Sequence, residues 1–119
     1  MKPAQMKDKI VAALEDIKGR DIIALDVRKL TDMTDYMVIA SGSSNRQVKA
    51  LAENVMDEMR KDGIRPMGSE GQAAADWILV DYGDVVVHVM LPEARDFYAL
   101  ERLWGGVPPL APEQEQPGN

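Results

Sequence analysis

The chain contains no cysteine. Disulfides and thiolate metal sites are therefore excluded, and nothing in the sequence calls for an oxidising compartment. Histidine occurs once, as His88, so paired-histidine metal sites are excluded as well. No apolar run approaches the roughly 20 residues that a membrane-spanning helix needs. The opening Met1-Lys2-Pro3-Ala4-Gln5 lacks the apolar stretch of a signal peptide. These absences predict a cytoplasmic protein. An excess of positive charge is missing too. Fourteen Lys and Arg stand against 20 Asp and Glu, a net charge of −6. Phosphate backbones repel such a domain, so direct nucleic-acid readout is not expected, whereas a basic protein surface attracts it.

What is present fits one folded unit. The 119 residues, 45% hydrophobic and 29% charged, match the composition of a single globular core. Met6, Ile10, Ala13, Leu14 and Ile17 recur at helical spacing and predict a helix over 3–18, stopped by Gly19. Residues 22–28 read as a strand with Ile23, Leu25 and Val27 on one face. The nearly continuous apolar run 35–40 predicts a central strand. Ser43 or Ser44 then caps a helix over 45–62, whose stripe is Val48, Leu51, Ala52, Val55 and Met59, with Gly63 as its stop. Ile64-Arg65-Pro66-Met67 reads as a short edge strand, and 68–71 as a loop. Two strong strands, 76–82 and 85–91, flank Gly83-Asp84. Pro92 opens a last helix carrying Phe97, Leu100 and Leu103, and a Pro-rich tail from 105 to 119 has little to bury and is expected to be disordered. The expected domain is thus 1–104, of α/β class. It has a single mixed β-sheet, with the helices packed mainly on one face.

The hairpin carries the most information. With a two-residue turn, Tyr82, Val80 and Ile78 oppose Val85, Val87 and Val89 on one face, the natural core face. The other face then pairs Asp81 with Val86, Leu79 with His88 and Trp77 with Met90. If the helices leave that face to solvent, its clustered apolar groups mark a binding surface. A third layer supplied by the last helix would instead make Trp77 and Met90 core residues. An open apolar face also predicts self-association as a symmetric homodimer when no partner is present.

Catalytic readings are weaker. Gly42-Ser43, between a strand and a helix, is where nucleotidyltransferases hold a phosphate on backbone N–H groups. Those enzymes also need paired carboxylates on a following strand to hold Mg²⁺, and Ile64 to Met67 carries none. Ser43 lacks a nucleophile-elbow setting. His88 alone in a strand is more simply a packed or interface residue than a base.

Longer stretches point further. Asp26-Val27-Arg28, the run Thr34-Asp35-Tyr36-Met37-Val38-Ile39-Ala40-Ser41-Gly42-Ser43-Ser44, and Arg46 to Ala52 are one set. Glu70-Gly71, the hairpin from Trp77 to Val89, and Arg95 to Trp104 are another. Together these resemble the Iojap-like ribosomal silencing factors over roughly residues 5–104. The resemblance implies a nucleotidyltransferase-like α/β fold without the catalytic acids, no enzyme activity and no cofactor. It implies binding to ribosomal protein fourteen of the large ribosomal subunit, blockage of small-subunit joining, and repression of translation when nutrients are short. A role in large-subunit assembly is the alternative, because relatives act in organelle ribosome assembly. A nucleotide-binding enzyme using Gly42-Ser43 is a more distant one. The family's partner surface maps onto the hairpin; the pairing parity then picks out Trp77, Leu79, His88 and Met90 as its apolar centre, with Val86 on the same face and Asp81 facing basic groups. Met90 and Met37 depart from the family pattern, and methionine adapts to such places.

Overall fold

The computed structural model describes residues 1–98. The expectations for Leu100, Leu103 and the tail 105–119, and for the side chain of Phe97, lie outside the described residues. The elements run α1 (Pro3–Asp16), β1 (Arg20–Asp26), β2 (Tyr36–Ser41), α2 (Asn45–Lys61), β3 (Gly68–Glu70), β4 (Trp77–Asp81), β5 (Val85–Met90) and α3 (Pro92–Tyr98). The strands form one five-stranded sheet in the order β1-β2-β5-β4-β3. Only β2 and β5 pair in parallel, and the other neighbours are antiparallel. The sheet is therefore mixed, and the crossover between its two parallel strands contains α2.

Both long helices form for the reason their stripes suggest. Met6, Ile10, Ala13 and Leu14 of α1 and Val48, Leu51, Ala52, Val55 and Met59 of α2 are buried. They pack on Ala24, Tyr36, Val38, Ala40, Ile78, Val80, Tyr82, Val85, Val87 and Val89, which makes this the core face of the sheet. Burying side chains of this size stabilises the fold by about 1.5–3 kcal/mol each. At the start of α2 the Ser44 hydroxyl accepts from the Gln47 amide, and Gly63 ends the helix at φ +76°. Polar links lock the helix pair: Asn54 Nδ2 donates to the Ala13 carbonyl, and Gln47 Nε2 to that of Ile17.

Three local expectations are corrected. The residue that turns the chain after α1 in a left-handed conformation is Lys18, at φ 59°, not Gly19. Gly19 instead follows that turn, donating its amide to the Leu14 carbonyl. The first strand begins earlier than residue 22 and ends at Asp26, because a bulge between Arg20 and Ile23 lets Arg20 pair with Ser41. The edge strand is Gly68–Glu70 and not Ile64 to Met67. Pro66 has no N–H to offer a ladder, and pairing begins only beyond it, where the Met67 amide meets the Asp81 carbonyl.

The hairpin register is the expected one, with Trp77 opposite Met90, Leu79 opposite His88 and Asp81 opposite Val86. The turn closes by a bond from the Tyr82 amide to the Val85 carbonyl, with Gly83 at φ +82°. A side chain is strained at such an angle, so glycine suits the position.

Candidate functional site

The second face of the sheet is crossed by ladder rows. One row runs Glu70, Leu79, His88, Ile39, Ile23, and the next Gly68, Asp81, Val86, Met37, Leu25. A third joins Trp77, Met90 and Ser41. The rows grade from buried to open. Leu25, Val27, Met37, Ile39 and Met90 form a closed cluster. Trp77, Leu79, Asp81 and Val86 are only half-buried, and all of β3 is exposed.

The closure has a structural cause. Pro92 starts α3 directly after β5, and the helix packs Ala94 on the Met90 cluster. Arg95, itself buried, donates from Nη1 to the Ser41 hydroxyl at 2.9 Å. The exposure expected of Met90 and His88 is therefore corrected. Met90 is 0% exposed and His88 8%, so Met90 belongs to the closed cluster and offers a partner no surface. The part left open lies toward β4 and β3. Glu70, placed by sequence in a loop, stands beside Leu79 in the ladder. It lacked any signal, since a three-residue, wholly exposed strand shows no alternation.

Trp77 and His88 act as a pair. The indole Nε1–H donates to Nδ1 of His88 at 2.9 Å, and the rings lie 5.8 Å apart, tilted by 42°. Burial lowers the His88 pKa to about 4, because a charged imidazole would lose its hydration there. The ring is neutral near pH 7, and its bare Nδ1 is free to accept. Asp81 has a structural duty as well: its Oδ1 accepts from the Gly83 amide at 2.7 Å and shapes the hairpin turn.

The start of β4 is held by the loop before it. Gly71 sits at φ +98°, and a Cβ there would fall 2.0 Å from the Trp77 carbonyl oxygen. Asn45 Nδ2, at the head of α2, donates to the carbonyls of Ala74 and Ala75. The Glu70-Gly71 pair thus has a mechanical meaning, because only glycine lets the loop pass that close to Trp77.

The Gly42-Ser43 turn is satisfied from within. The amide and hydroxyl of Ser43 both donate to Gln47 Oε1 at 2.6 Å. Gly42 lets the turn lie against α2, since a Cβ there would stand 2.9 Å from the Val48 nitrogen. Among the described residues no three His, Asp or Glu side chains gather as a metal site, and no helix is long and apolar enough to cross a membrane.

A three-layered α/β unit, with one sheet face half closed by a short helix and half open around an anchored tryptophan, has the build of a binding module. The sequence belongs to the family described as ribosomal silencing factor during starvation, whose model matches residues 1–118. It is 57% identical over 99 residues to the ribosomal silencing factor RsfS of Chromobacterium violaceum, covering 83% of this chain and 81% of that one. Against the mouse protein named mitochondrial assembly of ribosomal large subunit protein 1 it is 38% identical, covering 82% of this chain and 44% of the mouse protein. Among solved structures, a Chromobacterium violaceum protein superposes with a TM-score of 0.87 at 53% identity, covering 89% of this chain and 88% of the other. A Bacillus halodurans protein does so at 0.78 and 35%, covering 85% and 94%. The names of the family and of these relatives are those of regulatory and assembly factors, not of enzymes.

Proposed function

We propose that the chain silences large ribosomal subunits in the cytoplasm by occupying a surface of ribosomal protein fourteen, so that the small subunit cannot dock. The observation that carries this reading is the open half-face: Trp77, Leu79 and Val86 half-exposed beside Asp81 and Glu70 on an acidic chain. Apolar anchors with an acidic rim suit a basic protein surface, where an interface tryptophan contributes on the order of 2 kcal/mol and rim charges set association rate and partner choice. The action is steric and needs no bond made or broken, so its extent follows free concentration over Kd.

Sedimentation of purified subunits tests it. The protein is expected to co-migrate with large subunits and to lower the fraction of joined ribosomes, while Trp77→Glu does neither. Wild-type protein that leaves joining unchanged would sink the reading. The name of the mouse relative favours a second reading, a role in large-subunit assembly. Association with immature particles but not with mature subunits would decide for that one.

A further inference from the structure

His88 is almost wholly buried, yet it lies in the ladder row of Leu79 and holds the Trp77 indole, the one indole among the described residues. We propose that His88 is the positioning residue of the docking face: its Nδ1 ties down the Trp77 N–H, so that a partner meets an apolar indole fixed in one orientation and not a free hydrogen-bond donor. The inference rests on the reading that the Trp77 face docks on a partner.

The argument is geometric. Trp77 is opposite Met90 and diagonal to His88, so the 2.9 Å bond requires the indole to lean along its strand over the Leu79–His88 row. Met90, beside Trp77 in the ladder, belongs to the buried cluster on which both Trp77 and Ala94 pack, which gives the ring a firm base. A tryptophan free to rotate loses rotamer entropy when it docks, and pre-fixing the ring removes part of that loss. A donor N–H left facing an apolar partner would lose its hydration without compensation. Both costs disappear while His88 accepts. The acceptor must be the unprotonated Nδ1, so the ring carries its proton on Nε2. Neither lysine, which has no acceptor, nor leucine reproduces this, whereas asparagine places an oxygen near the position of Nδ1.

The test uses the full chain and purified large subunits. In the wild type the Trp77 indole N–H signal, assigned by its loss in Trp77→Phe, should exchange slowly with solvent, and the His88 nitrogen shifts should report the Nε2–H tautomer. His88→Leu should weaken binding about tenfold, the size of one lost net hydrogen bond. His88→Asn should restore most of it. Placed in a Trp77→Phe background, His88→Leu should change affinity less than about twofold, because the bond it removes is already absent. A fast-exchanging indole N–H in the wild type overturns the proposal without any variant. So does an equal loss in His88→Leu and His88→Asn, or a full loss from His88→Leu in the Trp77→Phe background. If Trp77→Glu binds like the wild type, the docking reading itself has failed. If Trp77→Glu does not bind but His88→Leu binds fully, only the positioning role has.

Discussion

At the scale of single residues, the buried imidazole couples stability to pH. Burial lowers the His88 pKa from the ordinary 6.5 to about 4. Between those values the unfolded chain binds a proton that the folded chain refuses, so stability rises with pH in that window and is complete above it. As pH falls from 6.5 toward 4 the stability is lost, by about 3 kcal/mol in all. Protonation would also put a hydrogen on Nδ1, where the Trp77 donor now points. Urea unfolding should therefore show the wild type about 2 kcal/mol less stable at pH 5 than at pH 7 from this group. His88→Asn should lack that component, and an identical pH dependence in both proteins would show that the imidazole titrates freely. Asp26 works in a lower range. The Arg28 guanidinium beside it holds its carboxyl below the usual value, and the pair lies on the surface, where such contacts add little.

At the scale of elements, a glycine governs where the site begins. Gly71 allows the 71–76 loop to pass against the Trp77 carbonyl, with the Ala75 amide donating back to the Gly71 carbonyl. Gly71→Ala combines a strained positive φ with a backbone clash, so it should cost about 2–3 kcal/mol. It should also move the start of β4, so that ribosome binding falls even under conditions where circular dichroism shows a folded chain. A variant with unchanged melting temperature and affinity would contradict this account. The hairpin was legible beforehand because period-two alternation on both sides of Gly83-Asp84 permits one register that buries Ile78, Val80, Val87 and Val89 together. The stripes of α1 and α2 were legible for the same reason at helical period. β3 was not, because its pairing with β4 is made by backbone alone and its side chains are all exposed. The depth of Met90 and His88 was not legible either. Alternation tells which face a residue occupies, but α3 decides how much of that face remains open, and its return over the sheet depends on tertiary contacts of Ala94 and Arg95. Hence the partial exposure of Trp77, Leu79 and Val86 was expected from parity, while the boundary running between them and Met90 was not.

At the scale of the whole molecule, net charge separates two uses of the same face. A free chain that leaves Trp77, Leu79 and Val86 half-exposed gains by covering them, and a symmetric pair is the simplest cover. We expect such a homodimer to form in competition with the ribosome, since on the docking proposed above both contacts would use Trp77. A two-fold pairing of this face, however, brings Glu70 and Asp81 of one copy near those of the other, on chains that each carry −6. Added salt screens this repulsion, so self-association should strengthen from low to moderate ionic strength. Binding to a basic partner should weaken over the same range, because there salt screens an attraction. Light scattering and subunit co-sedimentation, run across one salt series, read both trends. Trp77→Glu should be monomeric throughout. A dimer that survives this substitution would use another surface and leave the docking face free. A wild-type chain that stays monomeric at high concentration and high salt would mean that the half-face left open by α3 is already small enough to tolerate water.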